Sequence, residues 1–432
     1  MSQSVQSGQR VVITGFGAIT CLGNDAASTW EAMREGRSGI GLYNDEAFTR
    51  YSEDWPTKIG GEVRGLDMSP IMEPREAKRL DRVTQLGLVA AHEAVGHSGL
   101  AFDAEDPGRC GVVIGTGIGG IETIETGVNV LRDRGPRRLN VFTVPRLMAN
   151  ATTGAVSIRY GLEGPASCHA TACASAGHAF GDAAAYIRAG MCDVMLTGGT
   201  EAALTPICVS AFRVMKALST RNDEPTLASR PFDADRDGFV LAEGAAVFAL
   251  ESEAHARARG ATIHAELIGF GNSCDAYHIT APHAEGAGAT RSMRGALRDA
   301  GLEPGMIDYV NAHGTSTPLG DEAELRAVHE VFGPDRGGPD RSLLMSSTKS
   351  VHGHALGASG AIEMIACLHA VRDGVIPPTV NLDHPSEGPW AEAGSLDLVA
   401  HDSRETAVRY ALNNTFGFGG HNTSLVLGRY TG

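Results

Sequence analysis

The alternation of apolar and polar positions divides the chain into strands and helices in sequence. RVVITGFGAIT predicts a buried strand over 10–20, rich in β-branched residues and turned by glycine. Val83, Leu86, Ala90 and Ala94 recur at helical spacing and predict a helix over 81–95. Two short apolar runs closed by glycine, CGVVIGTG (110–117) and DVMLTGG (193–199), predict strands, with an alanine-rich helix over about 173–189 between them. After the charged stretch EAHARARG (253–260), HAELIGFG (264–271) echoes the first strand and opens a second series. IDYVNAH (307–313) and LLMSSTK (343–349) read as strands. Residues 321–332 read as a helix through Leu325, Val328 and Phe332, and Ile362, Ile365, Leu368 and Val371 share another helix face. Each series is expected to end in a hairpin-like pair, DGFVLAEGAAVFALE in the first and RYALNNTFGFGGHNTSLVLGRY in the second. The echo suggests an internal duplication. Halves over 10–260 and 261–432 would share one core behind a disordered polar lead at 1–9.

Length and composition narrow the class. At 432 residues the chain exceeds one ordinary core, and 42% hydrophobic with 20% charged residues is the balance of a soluble globular protein. No apolar run approaches the ~18 residues of a membrane span, and the polar start does not read as a secretory signal. A formal charge of −15 argues against nucleic acid or anionic membrane as the main partner. None of the eight cysteines forms a C-x-x-C pair, so reduced thiols in a cytoplasmic protein are expected, without a disulfide framework or zinc cage.

Four segments carry candidate chemistry. GPASCHATACASAGHAFGDAAAYIRAG places Cys173 where a turn of small residues becomes a helix. A free thiol is only ~3% thiolate at pH 7, and helix N-terminal N–H groups favour the anion. Read alone, the position fits an inert buried cysteine better. NAHGTSTPLGDEAE puts His313 after a strand, and SSTKSVHGHALGASGAIE puts His354 at a similar turn, five residues past Lys349. Two histidines at the carboxyl ends of strands point to a ligand site, because ligands of α/β sheets gather there. In NNTFGFGGHN, Phe416 and Phe418 alternate with glycines that would let backbone N–H groups approach a reacting oxygen. Read alone, that segment is better taken as a glycine-kinked terminal hairpin.

Together these segments, with RPFDADRDGFVLAEGA (230–245), resemble the elongating β-ketoacyl-acyl carrier protein synthases, the synthase II family of fatty-acid condensing enzymes, over about residues 10–430. The resemblance implies the thiolase-like α/β fold, with duplicated halves in a five-layer αβαβα arrangement, and a homodimer. It implies a decarboxylative Claisen condensation: Cys173 takes the acyl group from acyl carrier protein as a thioester. His313 and His354 bind the malonyl thioester carbonyl, one or both assist loss of CO2, and the enolate attacks to give a 3-ketoacyl product. Backbone N–H groups of Cys173 and Phe418 would form the oxyanion hole, and Lys349 and Glu324 the charged pair behind the histidines. Thr315 and Thr317 fall on hydroxyls that hold the phosphopantetheine arm, Phe416 and Phe418 on the gate, and Ile118 and Phe212 on the acyl pocket. Arg75, Lys78, Arg79, Arg137, Arg138 and Lys216 fall on carrier-docking positions, although each alone reads as a solvated surface charge. The reaction needs no metal, redox group or other cofactor, since decarboxylation itself supplies the carbanion.

Three positions depart from the family pattern: His352 stands two residues before His354 and is expected to face away, Ala242 replaces a glycine, and His421 is a known alternative to threonine. Cys168, His169 and His178 are read as bystanders. The alternatives are a type II polyketide ketosynthase, which shares these motifs, and a non-catalytic chain-length subunit, which typically lacks the nucleophile. A thiolase needs a second cysteine near the C-terminus, and none follows Cys367.

Overall fold

The computed structural model describes residues 8–43, 48, 55–333, 342–388, 390 and 396–432. The lead expected at 1–9 therefore lies outside the described residues except for Gly8 and Gln9.

Among the described residues the largest sheet has eleven strands. The first five in the chain are β1 (Val11–Thr20), β2 (Cys110–Gly115), β3 (Ala166–Ser167), β4 (Val194–Glu201) and β5 (Gly244–Ser252), ordered β1-β5-β4-β2-β3. The next six are β6 (Ala265–Cys274), β7 (Tyr309–Asn311), β8 (Leu343–Ser346), β9 (Leu396–Asp397), β10 (Tyr410–Gly417) and β11 (His421–Gly428), ordered β6-β11-β10-β7-β8-β9. Each series begins with two antiparallel pairings and continues with parallel ones. The two series join where β1 meets β6 through only Val12–Glu266 and Ile13–Ala265. The repeated order bears out the duplication suggested by the two glycine-turned strands.

Six helices complete the layers: α1 (Arg82–Ser98), α2 (Ala151–Tyr160), α3 (Ser175–Arg188), α4 (Ala287–Ala300), α5 (Pro318–Phe332) and α6 (Ser359–Asp373). Helices α1 and α2 cover the outer face of the first series around Leu86, Val112, Val156 and Leu196. Helices α4 and α5 cover the outer face of the second around Met293, Val310 and Leu325. Between the two sheet halves lie α3 and α6, and their apolar side chains form the central core with Phe180, Phe248, Ile362 and Ile365. The result is the expected αβαβα stack. Because both faces of the sheet are covered, β1 and β5 are buried along their whole length, and their few polar side chains pair inside, as Thr14 does with Glu251.

The expected hairpin at 237–251 is not formed. Only Gly244–Ser252 is strand, and it pairs with β1 and β4. The backbone of Phe239–Ala242 is committed elsewhere: His354 N–H donates to the Val240 carbonyl at 2.7 Å, and Ala242 N–H donates to the His354 carbonyl at 2.9 Å. The strand expected at 343–349 stops at Ser346, because Lys349 opens a short helical turn, Lys349–His352. The C-terminal pair is a true hairpin, β10 with β11.

Candidate active site

The sequence brings its chemistry together at the carboxyl ends of the parallel strands. Cys173 lies in a tight turn, Ala172–Ala174, directly before α3, and is 7% exposed. Ala172 takes the left-handed conformation (φ 50°), a strained position of the kind that concentrates at functional sites. His313 follows β7, and its backbone N–H donates to Glu324 Oε1 at 2.8 Å while that of Gly314 donates to Glu324 Oε2 at 2.7 Å. His354 follows the turn after β8. Its Nε2 is 3.0 Å from Cys173 Sγ and its Nδ1 is 2.9 Å from Ser359 Oγ. The two imidazoles stand 5.3 Å apart, centre to centre, at 82°.

Backbone geometry seals the turn from the other side. A Cβ added at Gly417 would lie 2.9 Å from the Thr171 carbonyl oxygen and 3.0 Å from Cys173 N, so the end of the C-terminal hairpin can abut the Cys173 turn only with glycine there. The Phe418 N–H and the N–H of Cys173 itself both reach the sulfur.

Electrostatics set the resting protonation. Burial pushes the Cys173 thiol up to about 12, although Lys349 and the Phe418 N–H pull against it. The thiolate anticipated from the helix N-terminus is therefore not the resting form; desolvation outweighs the helix end. Both histidines beside Cys173 are neutral. Burial first, then the Lys349 ammonium, holds His313 and His354 well below their ordinary value. A neutral thiol beside a neutral imidazole can pass its proton to Nε2 as the sulfur attacks.

The charged pair behind the histidines differs from the one expected. Lys349 Nζ bonds Glu363 on α6, and both side chains are buried. Glu324 instead clamps the backbone of the His313 turn. Burial pushes the Glu363 carboxyl up to about 7 against the pull of Lys349. Glu363 sits on a helix buried on every side, and a lone acid there was the signal for a paired charge. Glu201 was also missed. Its carboxylate accepts from Gly117 N–H (2.6 Å), Thr116 Oγ1 (3.0 Å) and Gly357 N–H (3.0 Å), tying the loop of Ile118 to the loop after His354.

Cys173, His313 and His354 open into a cavity of about 470 Å³. Ile118, Phe212, Phe239 and Leu356 line it together with Thr315, Thr317, Phe416 and Phe418. The hydroxyls of Thr315 and Thr317 lie 3.0 Å apart. Lys216 borders the same cavity and is exposed. Arg75, Lys78, Arg79, Arg137 and Arg138 are all exposed, and Arg79 stacks over Phe142, which links the 75–79 turn to the segment carrying Arg137 and Arg138. His352 points to Thr348 Oγ1 (3.1 Å) and does not line the cavity. Nor do Cys168, His169 or His178.

This geometry can be set beside known proteins. Residues 8–256 match the N-terminal domain model of beta-ketoacyl synthases, and residues 264–383 match the C-terminal domain model. The chain belongs to the beta-ketoacyl synthase family. It is 44% identical to 3-oxoacyl-acyl-carrier-protein synthase 2 of Synechocystis sp., covering 98% of both chains. It is 45% identical to the protein of the same name from Vibrio cholerae serotype O1, covering 98% of this chain and all of that one. Among solved structures it resembles a beta-ketoacyl synthase from Burkholderia phymatum (TM-score 0.87, 35% identity, 98% and 100% covered). It also resembles a type II polyketide ketosynthase solved with its acyl carrier protein (TM-score 0.87, 31% identity, 98% and 100% covered). Among the described residues no helix is long and apolar enough to cross a membrane.

Proposed function

We propose that the protein condenses an acyl group with malonyl-acyl carrier protein, releasing CO2 and forming a 3-ketoacyl-acyl carrier protein, in fatty-acid elongation. The observation that carries the reading is the 3.0 Å contact of Cys173 Sγ with His354 Nε2 inside a cavity that also holds His313. In the first half-reaction Cys173 attacks the acyl thioester, with His354 taking the thiol proton and returning it to the departing pantetheine thiol. The N–H groups of Cys173 and Phe418 would stabilise the tetrahedral oxyanion. In the second, neutral His313 and His354 donate hydrogen bonds to the malonyl thioester oxygen, which becomes an enolate oxygen as CO2 leaves. Two neutral donors in a dry pocket favour that charge, and the Lys349 ammonium adds to it. The carbanion comes from decarboxylation, so the step runs without metal or redox cofactor.

Glu324 holds the His313 turn, Lys349 with Glu363 sets the local charge, and Thr315 and Thr317 receive the pantetheine arm past the Phe416–Phe418 gate. The acyl chain lies along Ile118 and Phe212. The exposed cations Arg75, Lys78, Arg79, Arg137, Arg138 and Lys216 receive the acidic carrier, whose charge complements theirs despite the net −15 of the chain. The protein acts in the cytoplasm as a homodimer. Identity of 43–45% to curated synthases named for the fatty-acid reaction, against 31% to the polyketide ketosynthase, favours elongation over the polyketide reading.

The test is product analysis from acyl- and malonyl-carrier substrates with labelled malonyl. One labelled two-carbon unit in a 3-ketoacyl product, with one CO2 per turnover, supports the reading; release of CO2 without extension, or no turnover, contradicts it.

A further inference from the structure

We propose that Ser359 is a positioning residue that holds His354 in place in either of its two tautomers. The inference deepens the reading above and rests on it. Ser359 opens α6 and is fully buried, and its Oγ lies 2.9 Å from His354 Nδ1. Among the described residues neither atom has another hydrogen-bond partner. The Nδ1 of His313, by contrast, is buried with no partner among those residues, so only His354 is held in this way.

A hydroxyl both donates and accepts, and His354 has to be used in both senses. In acyl transfer the Cys173 S–H bond breaks and its proton goes to Nε2. The sulfur–acyl bond forms, the donor's thioester C–S bond breaks, and the departing thiolate takes the proton from Nε2. Throughout, Nδ1 carries hydrogen and donates to Ser359 Oγ, which steadies the transient imidazolium. In decarboxylation Nε2 must carry hydrogen toward the thioester oxygen, so Nδ1 is bare and accepts from Ser359 Oγ–H. Between the half-reactions the ring changes tautomer by exchange with water entering behind the departing thiol: Nε2 gains a proton to give the imidazolium, and the ring then swings off Ser359 so that Nδ1 returns one proton to the same water. A carboxylate at this place would accept only and hold the ring in the first form; a backbone N–H would donate only and hold it in the second. Alanine would leave a buried ring nitrogen unpaired in both.

The experiment separates the half-reactions in Ser359→Ala and Ser359→Thr. Acylation is followed by intact mass in a single turnover from acyl carrier protein, and decarboxylation by CO2 release from malonyl carrier protein. Ser359→Ala is expected to slow both steps about tenfold with KM within about twofold of wild type, as loss of one buried hydrogen bond implies. Ser359→Thr, which keeps the hydroxyl, is expected to recover most of the rate. Wild-type rates in Ser359→Ala, or Ser359→Thr as slow as Ser359→Ala, would overturn the assignment. So would a rate loss matched by a fall in unfolding midpoint, which would make Ser359 a packing residue. If wild type itself forms no acyl-enzyme, the condensing reading falls, a failure distinct from the other three.

Discussion

Glu363→Ala leaves the Lys349 ammonium in a buried site without its counter-charge, and the structure gives the size of the effect. The two side chains are 1% and 0% exposed, so solvent cannot take the carboxylate's place. Breaking one side of such a pair costs about 3–5 kcal/mol, whereas replacing both partners by apolar side chains of similar volume is often neutral. Lys349→Met with Glu363→Leu is therefore expected to regain most of the stability that Glu363→Ala loses. Activity should not return with it. Lys349 is the leading charge that pulls the Cys173 thiol down against burial, and it adds to the burial that holds His313 and His354 neutral. One buried charge at an effective dielectric of ~20 is worth about 1–3 kcal/mol to a nearby enolate, or tenfold to a hundredfold in decarboxylation. Burial still holds both histidines below their ordinary value, but without that charge they rise part of the way back, so the acid limb of the rate profile moves to higher pH. Guanidinium unfolding followed by circular dichroism, beside CO2 release from malonyl carrier protein, reads both quantities. A Glu363→Ala variant as stable as wild type, or a double variant decarboxylating at full rate, would refute the reasoning.

Two further outcomes follow from surface and ion-pair geometry. Arg137→Glu with Arg138→Glu should raise KM for carrier-bound donors several-fold while sparing a small thioester mimic, and equal loss on both donors would refute docking there. His255 bonds Glu251 (2.6 Å) and Glu105 (3.0 Å), and the Glu251 bond leads in raising it to about 9. A raised folded value means its contribution is whole below about 6.5 and is lost as pH rises through 9. The stability gap between wild type and His255→Gln should thus narrow over that window, and a gap that widens would contradict the pairing.

Much of the site was legible because its chemistry sits in short local motifs. Cys173, His313, His354 and the 413–422 hairpin each carry residue types and glycines whose spacing alone points to strand ends and tight turns. What escaped were partnerships across the fold. Lys349 was matched with Glu324 because both lie in recognisable motifs, but its partner is one helical face away on α6, and only packing of that helix between the sheet halves brings Glu363 to it. The thiol's protonation was misjudged for a related reason. The helix end at Cys173 is visible in sequence, whereas the desolvation that overrides it depends on side chains from several distant segments. The false hairpin at 237–251 had the right alternation, but Phe239–Ala242 gives its backbone bonds to the His354 loop.

The central claim, that Cys173 is the acylated nucleophile, is tested most directly by intact-protein mass after mixing with acyl carrier protein thioesters of several chain lengths, wild type beside Cys173→Ala. The account predicts a gain of one acyl group in wild type and none in a folded Cys173→Ala. An acyl group on the variant, or none on wild type with any donor, would contradict it.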